Sequence, residues 1–485
     1  MQVSRVFLLL LPLAACSAGD DPALAPAPLA APTLSTLKLT VDGTRLRDEL
    51  GREVLLRGVN AGGRSKIAPF FPFRFQESGR ADQADAPPFA EAAAAYVERI
   101  RAFGHDVVRL PFTWEAVEPT RGTYDELFLG RYGTLVDTFG AKGLRVIVDF
   151  HQDVFAQPYC GDGFPLWAVP APVPEKPADC TDWFTGYFKP DTVGVAYDRF
   201  WKNEDGLRDA FEAMWTHVAT AMAGKKNVIG FEIINEPGWG TAEAKAWPKD
   251  VLTPFYTKLG AVIRKAAPGA LLFFDSTGAD AISAATAVGL PEGGGMIFAP
   301  HYYAGEVIAL KRYDGGDVAG PIGQWKKAAD AFGVPVLLGE FGILPAAEGA
   351  AAYLRANFDA LDAHLMHGTA WEYSTTADDW NGEGMSIGGL DGAETPTTPE
   401  LARVYPMAVA GTIVSFTFDA ATTTAVLVYD ATAGGTTEIA APARLFPNGT
   451  TVTVSGVGAA TSEVGERVLV WAEGADRATA TILRR

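Results

Sequence analysis

From about Thr40 the chain alternates short runs of β-branched and aromatic residues with longer Ala-rich stretches, the pattern of βα units wound around a parallel sheet. Eight short runs read as buried strands: L-L-R-G-V-N (55–60), V-V-R-L-P-F (107–112), L-R-V-I-V-D-F (144–150), V-I-G-F-E-I-I (228–234), L-L-F-F-D-S (271–276), M-I-F-A-P-H-Y (296–302), V-P-V-L-L-G-E (334–340) and T-A-W-E-Y (369–373). Helices are expected at 89–103, 126–142, 206–224, 252–267, 324–332 and 346–364. Eight strands with intervening helices predict an α/β fold, a (β/α)₈ TIM barrel. Near Tyr405 the character changes. T-I-V-S-F-T-F-D, T-A-V-L-V-Y, T-V-T-V-S and R-V-L-V-W-A, separated by Gly, Asn, Asp and Pro, read as short antiparallel strands without helices. The expected division is a barrel over 37–404 and a β-sandwich over 405–485. No internal repeat is visible.

The first residues change the picture of location. One Arg, an apolar run over 6–13 and small residues ending in L-A-A-C have the form of a secretory signal, too short to span a bilayer. The L-A-A-C ending resembles a bacterial lipobox, which would make 1–16 a lipoprotein signal and Cys16 a lipidated residue; cleavage of an ordinary signal nearby is the alternative. Either way the chain is expected to be exported, as a membrane-anchored lipoprotein or secreted. Residues 17–36, rich in Pro, Ala and Asp, suit a flexible tether. In an exported chain the remaining pair, Cys160 and Cys180, most simply forms a disulfide.

With 485 residues and 48% hydrophobic content the chain can bury a large core, and its 40 Lys and Arg against 58 Asp and Glu give a formal charge of −18. No basic stripe stands out that could neutralise phosphates, so nucleic acid is not an expected partner.

In a (β/α)₈ barrel the C-terminal strand ends carry the chemistry. Those ends hold Asn60, Arg109, His151 and Asp153, Asn235 and Glu236, His301 with Tyr302 and Tyr303, Glu340, and Trp371 with Glu372. Glu236 and Glu340 each follow a strongly apolar run and would converge over the barrel mouth. Glycosidic hydrolysis needs such a pair, one carboxylic acid to protonate the leaving oxygen and a second to attack or to activate water. The competing reading makes each a salt-bridged or capping carboxylate, Arg109 a structural ion pair, and His151, His301 and Trp371 packing residues.

Taken in order, V-R-L-P, I-N-E-P, H-Y-Y, G-E-F-G and W-E-Y resemble the retaining β-glycosidases of glycoside hydrolase family 5. That resemblance implies Glu236 as acid/base, Glu340 as nucleophile and Asn235 as partner of the sugar 2-hydroxyl. It further implies that Arg109 supports the nucleophile's charge, that a Tyr after His301 hydrogen-bonds it, and that Trp371 floors the sugar subsite. Tyr302 and Tyr303 are both open for that contact, with Tyr303 fitting an H-x-Y spacing. No cofactor or metal is implied, because two carboxylates and water suffice.

Within the family, D-F-H-Q-D-V-F, G-V-N-A-G-G-R-S-K-I-A-P-F and R-V-Y-P-M-A-V-A-G-T before an all-β tail resemble the endoglycoceramidase branch, which cleaves between glycan and ceramide. That resemblance implies that Lys66, His151 and Asp153 hold the sugar next to the lipid. Aromatic loops at 68–75 and around the Cys pair would suit a glycolipid substrate and a membrane surface, or simply pack on one another. A polysaccharide endo-β-glucanase or mannanase, a steryl glucoside hydrolase, and a lectin on a dead barrel are the alternatives. The last would lack one carboxylate.

Overall fold

A computed structural model describes residues 37–77, 84–377 and 382–485. The expected signal, Cys16 and the tether lie outside the described residues. The chain begins with three short strands, β1 (Leu39–Asp42), β2 (Arg45–Asp48) and β3 (Glu53–Val54). Eight parallel strands follow: β4 (Arg57–Asn60), β5 (Val107–Phe112), β6 (Arg145–Phe150), β7 (Val228–Glu232), β8 (Leu271–Phe274), β9 (Met296–Phe298), β10 (Leu337–Leu338) and β11 (His367–Ala370). Their hydrogen-bonded order is β10-β11-β4-β5-β6-β7-β8-β9. Isolated parallel bridges, Phe298 to Val336 and His301 to Glu340, join β9 to β10. The sheet is therefore a nearly closed eight-stranded barrel.

Helices cover it because their apolar residues recur at helical spacing. In Phe89–Arg101 the buried face is Ala92, Ala93, Tyr96, Val97 and Ile100; in Leu207–Met222 it runs from Leu207 through Phe211, Met214, Trp215 and Val218 to Met222. The Asp125 side chain accepts the Phe128 N–H at 2.9 Å and starts Glu126–Ala141. The later barrel strands are shorter than the apolar runs predict, since β7 stops at Glu232 and β9 at Phe298. There the chain leaves the ladder and presents its side chains to the barrel mouth.

Inside the barrel Leu56, Val107, Ile147, Ile229, Leu271, Phe273, Ile297 and Leu337 form one cluster with Leu39, Leu46, Val54 and Ala408. The last four come from outside the barrel sheet and close its N-terminal end. Residues 39–54, expected with the barrel, instead hydrogen-bond to the C-terminal unit. Its strands are β12 (Tyr405–Val409), β13 (Gly411–Asp419), β14 (Thr424–Ala431), β15 (Thr436–Ala440), β16 (Thr450–Ser455), β17 (Ala459–Val464), β18 (Arg467–Ala472) and β19 (Arg477–Arg484). They form two antiparallel sheets, β1-β2-β3-β12-β15-β18-β17 and β13-β14-β19-β16, packed over a shared apolar core. The alternation of β14, with Ala425, Leu427, Tyr429 and Ala431 buried, is that of a strand with one wet face.

The join is electrostatic as well as apolar. Arg52 is buried and donates to Asp48 Oδ2 at 2.8 Å and to Glu438 Oε1 at 2.6 Å, tying the N-terminal hairpin to β15. Arg52→Ala would leave buried Asp48 without its cation and Glu438 with Arg467 alone, a loss on the order of 3 kcal/mol. The expected result is a lower urea midpoint by circular dichroism; an unchanged midpoint would show that the hairpin is not fastened there.

Candidate active site

Period 2 along the strands decides which side chains reach the mouth. Val107 is followed by Arg109, Ile147 by Asp149 and His151, Phe273 by Asp275, and Ala299 by His301; the deep positions are apolar and the outermost are charged.

Arg109 is fully buried and stands at the centre. Its Nε and Nη2 donate to the two oxygens of Glu232 at 2.8 and 2.7 Å. Nη1 donates to Glu340 Oε1 at 2.6 Å and to Asn60 Oδ1 at 2.9 Å, while Nη2 reaches Asn235 Oδ1 at 2.8 Å and lies 3.2 Å from Asp149 Oδ2. One cation thus faces three carboxylates. Burial pushes Glu232 up to about 7 in spite of the guanidinium.

Glu340 accepts on both oxygens, because the Tyr303 hydroxyl donates to Oε2 at 2.9 Å. Of the two tyrosines open for that contact, Tyr303 makes it and Tyr302 does not. The Tyr302 ring packs in the outer core, and only its backbone N–H bonds the Glu340 carbonyl, at 2.9 Å, since neighbouring side chains in extended backbone point to opposite sides.

Glu236 has different surroundings. Its backbone is left-handed, φ 37°, and its Oε1 lies 2.7 Å from His301 Nδ1. Burial, with Asp153 adding to it, pushes the Glu236 carboxyl up to about 8. Burial also pushes His301 down to about 3, so the imidazole is neutral. One carboxylate oxygen of Glu236 lies within 4.8 Å of one of Glu340. The pair is close, and the cation and the hydroxyl donor both sit on the Glu340 side.

Lys66, His151, Asp153 and Trp371 gather in a second cluster. Lys66 Nζ donates to Asp153 Oδ2 at 2.7 Å and stands 4.5 Å from the Trp371 ring centroid, and His151 stacks on that ring at 5.0 Å. Burial opposes a charge on His151, but Asp149 at 2.9 Å and Asp153 at 3.3 Å outweigh it and lift the imidazole to about 10. Against the same burial, Lys66 and His151 hold Asp153 at about 2. Asn235 is buried, with its Nδ2 donating to the Gln152 carbonyl at 3.0 Å. Glu372 accepts from Ser374 Oγ at 2.7 Å. Cys160 and Cys180 are joined in a disulfide.

Several participants were not among the candidates: Asp149, Glu232, Asp275, and Gln152, whose Nε2 holds the carbonyls of Asn235 and Glu236 at 2.8 and 2.9 Å. Asp149 and Glu232 are paired across β6 and β7. The available signal was a charge at an inward position of an apolar strand, which must find an opposite charge.

A cleft of about 450 Å³ opens beside Glu236 and Tyr303, walled by Trp183, Phe184, Ile282, Ile308, Leu344 and Met385. The 68–75 loop contributes nothing to it: Phe71, Phe73 and Phe75 are buried against Phe89 and Tyr96, so most aromatic residues of that loop are packing. Two sets of metal-type donors, Glu232/Asp275/His301 and Glu236/His301/Glu340, lie within 4.8 Å. Arg109, Tyr303 and the Glu236 N–H already occupy oxygens of these carboxylates, an arrangement suited to handling protons.

The family Cellulase (glycosyl hydrolase family 5) matches residues 73–377, and the Glycoside hydrolase family 5 C-terminal domain matches 403–482. Endoglycoceramidase I of Rhodococcus hoagii (strain 103S) is 31% identical over 217 residues, which are 45% of this chain and 40% of that relative's length. Endo-glycoceramidase II from Rhodococcus sp., solved as a ganglioside GM3 complex, superposes with a TM-score of 0.74 at 24% identity, over 92% of this chain and 100% of that one. Sterylglucosidase 1 of Cryptococcus neoformans gives 0.76 at 18% identity, over 93% and 97%.

A raised carboxyl is a cost to the folded state once it ionises. With Glu236 moved from 4.5 to about 8, the native state binds the proton more tightly, so its contribution to stability falls as pH rises between those values. Glu236→Gln cannot ionise and should melt at higher temperature than wild type near the upper value, by on the order of 1 to 3 kcal/mol, with no such gap at the lower. Thermal melts across that range would check it; a gap independent of pH would place Glu236 in the ordinary carboxylate range.

Proposed function

We propose that this chain, which belongs to glycoside hydrolase family 5, hydrolyses the β-bond between glycan and ceramide in glycosphingolipids with retention at the anomeric carbon. The observation that carries this reading is a carboxyl pair within 4.8 Å, its cation on one member only, at the head of an apolar-walled cleft. Retaining enzymes hold their carboxyls about 5 Å apart, without room for a water between carboxylate and sugar.

Glu340 attacks the anomeric carbon while Glu236 gives its proton to the departing ceramide oxygen. Arg109 and Tyr303 orient the two Glu340 oxygens for attack and stabilise the carboxylate again as it leaves the glycosyl ester. Glu236, now ionised, takes a proton from the water that opens the ester. Asn235 faces the 2-hydroxyl, and Lys66, His151, Asp153 and Trp371 flank the sugar. Because the acid protonates the aglycone oxygen, the aglycone lies on the Glu236 side, where Ile282, Ile308, Leu344 and Met385 suit a lipid better than more sugar. A steryl glucoside would meet the same wall, and the likeness to a sterylglucosidase keeps that second reading in view.

Export completes the picture. Residues 1–16 as a lipoprotein signal ending at Cys16, with 17–36 as tether, would hold the mouth near a bilayer, and a disulfide suits an oxidising compartment. Exposed Phe188 meets the ring of Phe184 in the cleft wall, and exposed Leu310 sits between Ala309 and Lys311, which line it.

Purified protein incubated with gangliosides, glucosyl- and galactosylceramide, a steryl glucoside and soluble β-glucans, read by mass spectrometry, tests the substrate. Intact glycan plus ceramide is expected, with losses of 10³-fold or more in Glu236→Gln and Glu340→Gln; cleavage of β-glucans alone would remove ceramide from the reading. The kcat/KM profile should fall above about pH 8, as Glu236 loses its proton. Phe188→Asp with Leu310→Asp should slow turnover of vesicle-embedded substrate while sparing a detergent-free soluble glycoside; equal effects on both would discard the membrane-facing rim.

A further inference from the structure

Asp275 is a buried carboxyl beside the catalytic pair with no part in the displacement by Glu236 and Glu340. It follows β8, and its Oδ2 accepts the backbone N–H of Glu236 at 3.0 Å while Oδ1 accepts the N–H of Ser276 at 2.6 Å. Its own carbonyl takes the Tyr256 hydroxyl at 3.0 Å, so the turn is held from the helical layer as well. The same Oδ2 stands 3.5 Å from His301 Nε2. That nitrogen is buried and makes no hydrogen bond among the described residues, Asp275 being in reach but not bonded at that distance, while Nδ1 of the ring meets Glu236 Oε1 at 2.7 Å. Gly339 closes the ring's other edge, since a Cβ there would lie 2.9 Å from Nε2. Asp275, His301 and Glu236 therefore form a line of three groups ending on the acid/base.

We propose that Asp275 is a positioning residue for Glu236: its carboxyl, protonated, donates to His301 Nε2, which puts the ring hydrogen on Nδ1, facing Glu236 Oε1, and leaves the acid's own proton on Oε2. Oε2 is the oxygen toward the substrate, because it lies against Gly278 in the cleft wall. The groups facing Asp275 are His301, Glu236, Glu232 and the more distant Arg109. With two of these being carboxyls, burial, reinforced by Glu236 and Glu232, holds the Asp275 proton on well above the usual range. A neutral imidazole has one hydrogen to place, and its neighbours decide where. Without Asp275 the hydrogen is free to move to Nε2. Nδ1 then accepts from Glu236, and the catalytic proton turns away from the leaving group. The same Nδ1–H stabilises Glu236 as a carboxylate in the second step, so one tautomer serves both. The Asp275 bond to the Glu236 N–H also fixes the left-handed backbone that aims the carboxyl.

This rests on Glu236 being the acid/base, and the test separates the two. Asp275→Ala is compared with wild type on lactosylceramide, whose alkoxide leaving group needs a proton, and on β-lactosyl fluoride, which does not; the glucosyl pair replaces them where glucosylceramide is the substrate. We expect kcat/KM to fall about 10- to 100-fold on the glycolipid and less than about 3-fold on the fluoride. Asp275→Asn, whose amide can donate to Nε2 but at that position gives up the Glu236 N–H, should recover part of the loss on the glycolipid, and it is read the same way if Asp275→Ala does not fold. Equal loss on both substrates, or none on either, overturns the proposal. Glu236→Gln must show the larger split of the same sign; if it shows none, the assignment of the acid has failed rather than that of Asp275.

Discussion

The guanidinium of Arg109 is the constraint on which the barrel mouth depends. Three carboxylates, Glu232, Asp149 and Glu340, and two amides, Asn60 and Asn235, from strand ends all around the sheet converge on it. Without that cation, the barrel would have to bury like charges together, at a cost no nearby apolar packing offsets. With it, the carboxyls divide unequally. Glu340 keeps the cation and a hydroxyl donor, and Glu236, left against a neutral imidazole, keeps a proton. The asymmetry required for a two-step displacement is therefore a consequence of where one buried charge sits.

The fold serves that arrangement from below. The apolar inward residues fill the barrel up to the layer of Arg109, and the hairpin with Ala408 closes the bottom. The C-terminal sheet owns that hairpin, so the second unit is built into the barrel's floor. On the opposite end the two chemistries meet on Trp371. Charged Lys66, His151 and Asp153 gather against one part of Trp371, and the apolar cleft wall of Ile308, Leu344 and Met385 packs against the same indole and Tyr303 on its way to Glu236.

Much of this was legible in the sequence, for a physical reason. Strands buried on both faces read as continuous apolar runs, so a polar residue at the end of one, such as Glu236 or Glu340, is conspicuous. Arg109 and His301 share that visibility, whereas Lys66 is marked only by the resemblance to the endoglycoceramidase branch. Asp149 and Glu232 do not share it, because they fall within the apolar runs 144–150 and 228–234 and not after them, and only the cross-strand register that pairs them shows that they share a cation. Asp275 falls inside the run 271–276, and its meaning is set by the distant His301. Aromatic content misled in the 68–75 loop, where Phe71, Phe73 and Phe75 turned inward. Composition does not distinguish a ring that packs from one that faces a lipid. The separation of Tyr302 from Tyr303 likewise required the backbone.

Proton NMR of the glycan in the first minutes after release from lactosylceramide would probe the chemistry that the carboxyl pair implies. Retention across the glycan–ceramide bond predicts that the lactose β-anomer appears first and mutarotates afterwards. An α-anomer first, or release of galactose before glucose, would contradict a nucleophilic Glu340 acting on the bond to ceramide.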